Sequence, residues 1–115
     1  MILDLSRMRI FVRPGATDLR KAVNGLSILA ESRMDKNPFE PNLFLFSNAD
    51  RKLLKALYWD RNGFCLWQKR LEKDRFPWPT NAEEAREITR DQLAMLLSGI
   101  DFWNAHQELK IEKVS

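Results

Sequence analysis

Eight cations fall within 25 residues of this chain: Arg51, Lys52, Lys55, Arg61, Lys69, Arg70, Lys73 and Arg75. Tyr58, Trp59, Phe64 and Trp67 are interleaved with them, and Phe76 and Trp78 follow directly. Cations neutralise phosphates with a strong salt dependence, and exposed aromatic rings stack on unpaired bases. Aromatics inside strands are more often core, so Trp59 and Trp67 are expected to pack inward. The candidate DNA contacts in this stretch then reduce to Lys69, Arg70, Lys73 and Arg75. Trp78 stands between two prolines, which predicts an exposed knob with Phe76, suited to anchoring a protein partner. A second cationic corner is Arg20-Lys21, expected in the first turn of a helix. Cations there oppose the macrodipole, while the free N–H groups of a helix start attract anions. With Arg13 upstream, a phosphate site is one reading; Arg20 paired to a carboxylate is the other.

Catalytic chemistry finds little support. Asp60 opens the turn Asp60-Arg61-Asn62-Gly63 and is read as a turn residue. The single histidine, His106, lies in a weakly patterned tail, and the single cysteine, Cys65, sits in a strand pattern. One of each cannot build a Cys/His zinc site or an internal disulfide. Tyr58, the only tyrosine, is expected in the core. No glycine-rich phosphate motif occurs. No cofactor and no metal are expected.

The elements that must carry these residues follow from periodicity. Arg9–Arg13 reads as a first strand ended by Pro14-Gly15. Thr17 is placed as the N-cap of a helix whose apolar positions 19, 22, 23, 26, 29 and 30 run to about Met34. Gly25 falls inside it, which suggests a close approach. Asn42–Ser47 is a buried strand, and Leu53–Trp59 with Phe64–Arg70 form a hairpin expected to be central. Phe76–Pro79 is too proline-rich for a sheet and is expected to run over the surface. Glu87–Thr89 is a short edge strand. Thr89 and Gln92 make a capping box for a last helix whose apolar face is Leu93, Leu96, Leu97 and Ile100, stopped at Gly99. The fold class is α+β: a small, mostly antiparallel sheet of four to five strands with one helix packed across it and a C-terminal helix. One domain is expected over residues 1–103, and a mobile tail over 104–115.

Composition fits a folded soluble protein: 115 residues, 44% apolar and 30% charged. No apolar run approaches the ~20 residues of a membrane span, and the first residues lack the pattern of a signal peptide. A cytoplasmic location is the expectation. The net charge of +3 is uneven, with 15 basic against 9 acidic residues up to position 80 and 4 against 7 beyond it. An excess of that sign suits an anionic partner.

Several motifs together carry a resemblance. They are Ala16-Thr17-Asp18-Leu19-Arg20-Lys21 with Gly25-Leu26, Tyr58-Trp59-Asp60 with Gly63, Lys69-Arg70-Leu71-Glu72, Arg75-Phe76, Trp78-Pro79 and the closing segment Leu93 to Asp101. In this order the chain resembles the second-reading-frame accessory proteins, called TnpB, of the insertion sequence 66 family of bacterial transposable elements. Ala22, Tyr58 and Phe102 are mild departures from that pattern. The resemblance implies a non-catalytic accessory factor that serves transposition beside a separate, larger transposase. The expected partners are that transposase and DNA, with no membrane and no small-molecule substrate. A protein-only module docking through Trp78 and the 93–103 helix is the alternative.

Overall fold

The computed structural model describes residues 5–80 and 85–103. The expected tail, with His106, lies outside the described residues, as do positions 81–84. Five strands form one sheet: β1 (Arg9–Val12), β2 (Asn42–Ser47), β3 (Leu53–Asp60), β4 (Gly63–Arg70) and β5 (Arg86–Ile88). Their spatial order is β4-β3-β2-β1-β5. Only β1 and β2 run parallel, because helix α1 (Val23–Ser32) connects them; the other three pairings are antiparallel. The expected α+β class and strand count hold. The hairpin is not central: β4 is an edge strand, and it is only half-buried along its length.

Alternation along the strands separates two apolar clusters, one on each face. Phe11, Phe44, Phe46 and Leu57 face α1 and pack with Leu26, Ala30, Met34 and Leu19. Ile10, Val12, Leu43, Leu45, Leu54, Ala56 and Tyr58 face the other way, toward Leu93 and Leu96 of helix α2 (Arg90–Leu97) and toward Phe102. Helix α2 has the expected capping box, with Gln92 N–H donating to Thr89 Oγ1 at 3.1 Å and Thr89 N–H donating to Gln92 Oε1 at 2.9 Å. It ends where expected. Gly99 takes φ +79°, and the Gly99 and Ile100 N–H groups donate to Leu96 O and Met95 O, a Schellman closure that favours glycine.

Helix α1 begins later than its apolar spacing suggests. Thr17 is not its N-cap, and Arg20 and Lys21 precede its first turn; Ala22 occupies the cap position without a side-chain bond. A competing turn is the reason. The Asp18 carboxylate accepts the Arg20 N–H at 3.1 Å, and Lys21 N–H donates to Asp18 O, a local alternative that aspartate offers the backbone. The Lys55 ammonium then donates to Leu19 O at 2.7 Å and Lys21 O at 3.4 Å. Those carbonyls would serve a helix running through this segment. Gly25 does mark a close approach, since a Cβ there would meet the Lys21 side chain at 3.0 Å.

The Phe76–Pro79 segment is the largest departure. Phe76 and Trp78 are buried, at 1% and 5% exposure, so the exposed knob expected of them is corrected. The segment is strapped into the α2 side of the sheet by four hydrogen bonds. Phe76 N–H donates to Arg51 O, Gly15 N–H to Pro79 O, Trp78 Nε1 to Arg13 O and Trp103 Nε1 to Pro77 O, all at 2.7–2.8 Å. Prolines lack an N–H but keep a carbonyl, so a proline strand can be buried once donors reach its oxygens. Trp78→Ala should therefore cost about 3–5 kcal/mol in urea unfolding, and Trp78→Phe about 1–3 kcal/mol because Arg13 O loses its donor. A change within about 0.5 kcal/mol for both, the usual size at a surface position, would contradict this packing.

Candidate nucleic-acid interface

The sheet has two ends, and the cations collect at one. That end is formed where β2 leaves the sheet and where β3 begins opposite the last residue of β4, Leu53 pairing with Arg70. Three segments meet there: 13–21, 48–55 and 69–76. Thr17 N–H donates to Ser47 O at 2.8 Å, Leu71 N–H to Lys52 O at 2.8 Å and Phe76 N–H to Arg51 O at 2.7 Å. Asn48 organises the middle segment, its Oδ1 accepting the N–H groups of Lys52 and Leu53 at 3.2 and 3.1 Å. Together the three segments hold ten cations against four carboxylates. Since the whole chain is +3, the remainder is net −3.

All six cations singled out from the sequence lie in these segments, but in different states. Lys21, Arg70, Lys73 and Arg75 are exposed and form no ion pair among the described residues. Arg20 is exposed yet already partnered: its Nε and guanidinium nitrogen grip the two Asp18 oxygens at 2.9 and 2.8 Å. The Arg20 guanidinium, chiefly by hydrogen bonding, holds the Asp18 carboxyl down at about 2. Lys69 is half-buried and donates to Leu97 O at 2.9 Å, so it closes the C-terminus of α2, where a cation suits the dipole. Arg13 points to the buried Thr17 hydroxyl, donating at 2.8 Å, and burial lowers its pKa. Of the two readings of this corner, the pairing of Arg20 with a carboxylate is the one seen, and neither Arg20 nor Lys21 stands in the first turn of α1.

Sequence reasoning counted Arg51 and Lys52 among the clustered cations but left them out of the candidate contacts, and it missed Asn48. Arg51, at φ +59°, is a strained position for a side chain of its kind, and its carbonyl anchors the Phe76 strap. An asparagine followed by a charged loop was the available signal. Between residues 16–20 and 48–53 lies a groove of about 620 Å³, walled by Ala16, Asp18, Leu19, Arg20, Ala49 and Asp50 among others.

Tyr58 and Asp60, both weighed for catalysis, sit in strand β3 of the hairpin. Tyr58 is buried, and its hydroxyl is pushed up to about 12, first by burial and then by its hydrogen bond with Cys65 across the hairpin. Asp60 ends β3 at the turn, where Arg61 takes φ +55°. Among the described residues no three His, Cys, Asp or Glu side chains gather as a metal site. Trp67 is half-buried against the α2 cluster. Trp59 packs edge-on with Phe39 and Phe64, centroids 5.0 and 4.9 Å apart, beside the hairpin turn that carries Arg61 and away from the cationic end.

Residues 8–107 match the family model described as IS66 Orf2 like protein, and the chain belongs to that family. Two proteins of Sinorhizobium fredii are similar to it. The uncharacterized protein y4hO is 39% identical over 94% of this chain and 93% of its own length. The uncharacterized protein y4jC is 30% identical over 83% and 81%. No solved structure matches. No helix among the described residues is long and apolar enough to cross a membrane.

The Asp18–Arg20 pair gives a direct check. Carbon-detected titration should place the Asp18 carboxyl at about 2, and Arg20→Ala should return it toward the ordinary ~3.9. The depressed folded value means the pair favours the folded state above the unfolded pKa and loses that effect as pH falls toward 2. Both groups are at the surface, so the effect on stability is small. An unshifted Asp18 would show that the pair does not form in solution.

Proposed function

We propose that this member of the IS66 Orf2-like family binds DNA through the cationic end of its sheet, as a non-catalytic accessory factor beside the element's transposase. The family is one of transposition-associated accessory proteins. The observation that carries the reading is the gathering of ten cations against four carboxylates on one end of a chain whose remainder is net negative. A one-sided field of this kind attracts a polyanion and steers its approach. Lys21, Arg70, Lys73 and Arg75 are the contacts proposed for phosphates, being exposed and unpaired among the described residues. Arg20 stands beside them with its charge offset by Asp18. Lys69 holds α2 and contributes charge more than contact. The reaction's cutting and joining belong to the transposase, and the work is cytoplasmic, where the element's DNA lies.

The protein-only alternative was built on an exposed Trp78 and on the apolar face of α2. Trp78 is buried and Leu93 and Leu96 face the sheet, while Ile100, expected on the same apolar face, is exposed; the anchor on which that form of docking was built is therefore lost.

Duplex DNA carrying the element's ends should bind in fluorescence anisotropy, with affinity falling steeply between 50 and 200 mM salt. The substitutions K73A and R75A together should weaken binding and lower the slope of log affinity against log salt by about 2, one unit for each lost phosphate contact. They should leave the urea midpoint unchanged, since neither side chain is packed. No binding at low salt, or binding indifferent to both substitutions, would overturn the assignment.

A further inference from the structure

The groove between residues 16–20 and 48–53 differs in character from the cations around it. At about 620 Å³ it falls within the roughly 300–1,000 Å³ typical of small-ligand sites. Ala16, Leu19, Ala49 and Leu53 supply apolar surface, and its charged walls are Asp18, Asp50 and Arg20. Arg20 is already bound to Asp18, which leaves the Asp50 carboxylate exposed and without a partner among the described residues. A phosphate would meet net negative walls there, so the groove itself is no anion site. Its flanks are the reverse. Lys21 follows Arg20, Arg51 and Lys52 lie between Asp50 and Leu53, and the Lys55 ammonium sits on Leu19 O and Lys21 O.

An apolar slot with hydrogen-bond acceptors inside and cations along its lips matches one ligand chemistry. It suits a flat heterocycle bearing amino groups, carried on a phosphate backbone. Carboxylates accept from the exocyclic amines of adenine and cytosine, and the flanking cations meet the phosphates on either side. In a duplex, the base edges are paired and the rings stacked, so only an unpaired nucleotide can enter.

Resting on the DNA-binding reading above, we infer that this groove takes the base of an unpaired nucleotide, such as one exposed at a frayed or overhanging DNA end. The cationic surface alone holds any duplex; the groove adds a preference for DNA with an unpaired strand. The two lip residues Ala16 and Ala49 are exposed and make no packing contribution to either core cluster, so each can be enlarged without disturbing the fold.

Anisotropy of the full chain with a blunt duplex, and with the same duplex carrying a short adenine overhang, tests this. The overhang should bind about tenfold tighter, within the range that hydrogen bonding of one base edge confers. Ala49→Trp, with Ala16→Trp as a second variant, should fill the slot and bring the overhang down to the blunt-end affinity. Blunt-end binding should stay within about twofold, because the phosphate contacts of the cations are untouched. Equal affinity for blunt and overhanging DNA would overturn the inference while leaving duplex binding standing. An overhang preference that survives both tryptophans would overturn the groove as its source. Absence of binding to either probe would remove the DNA reading itself.

Discussion

Every residue of β2, from Asn42 to Ser47, is buried, and the rest of the architecture answers to that strand. It lies in the middle of the sheet, with Phe44 and Phe46 on one face and Leu43 and Leu45 on the other. Each such side chain contributes about 1.5–3 kcal/mol only when its face is covered, so neither face can be left to water. Among the described residues there is one α-helix for each face. Helix α1 covers the first. On the second, α2 has only eight residues, and the Phe76–Pro79 strap with Phe102 completes the cover. The tryptophan and phenylalanine that look ornamental in sequence are structural because a short helix leaves area to fill.

This requirement also sorts chemistry along the sheet. The aromatic residues are spent on the two covers and on the cluster of Phe39, Trp59 and Phe64 beside the hairpin turn. The cations of this stretch other than Arg61 are left at the other end of the same hairpin, where Leu53 pairs with Arg70, six residues and so roughly 20 Å from Trp59 along the strand. In the linear sequence the two kinds of residue alternate and suggest one mixed surface. In the folded chain they separate, and any ring-stacking by Trp59 is remote from the cationic end.

Much of the fold was legible because local signals agreed with tertiary demands. Alternation set the faces of β3, the Thr89–Gln92 pair set the start of α2, and Gly99 set its end. The start of α1 was not legible, since Asp18 is equally suited to a helix's first turn and to a local turn of its own. The choice is made by Lys55, distant in sequence, which supplies donors to Leu19 O and Lys21 O. Trp78 was misjudged for a related reason. Flanking prolines exclude a segment from the sheet ladder, but they do not forbid burial when Trp103 and Gly15 reach the proline carbonyls. The cationic residues were legible as a set. The loop led by Asn48 that joins them was not, because backbone hydrogen bonding between distant segments has no signature in composition.

The fate of the two strand lysines separates charge from contact at the cationic end. Lys55 and Lys69 both stand where a strand passes a helix terminus, and each gives its ammonium to carbonyl oxygens there. A carbonyl is neutral, so this bonding holds the side chain without cancelling its charge. Arg20 differs, because Asp18 offsets it at close range. The long-range field at this end therefore includes the two lysines, while the groups able to grip a phosphate are the loop cations with no partner of their own. On the proposed DNA-binding reading, steering rests on the first set and bound-state contacts on the second. Removing Lys69 would disturb a helix end and the field together, whereas removing Lys73 or Arg75 changes charge and contact without releasing another element. The distinction comes from asking what each ammonium or guanidinium already holds, which no count of basic residues can answer.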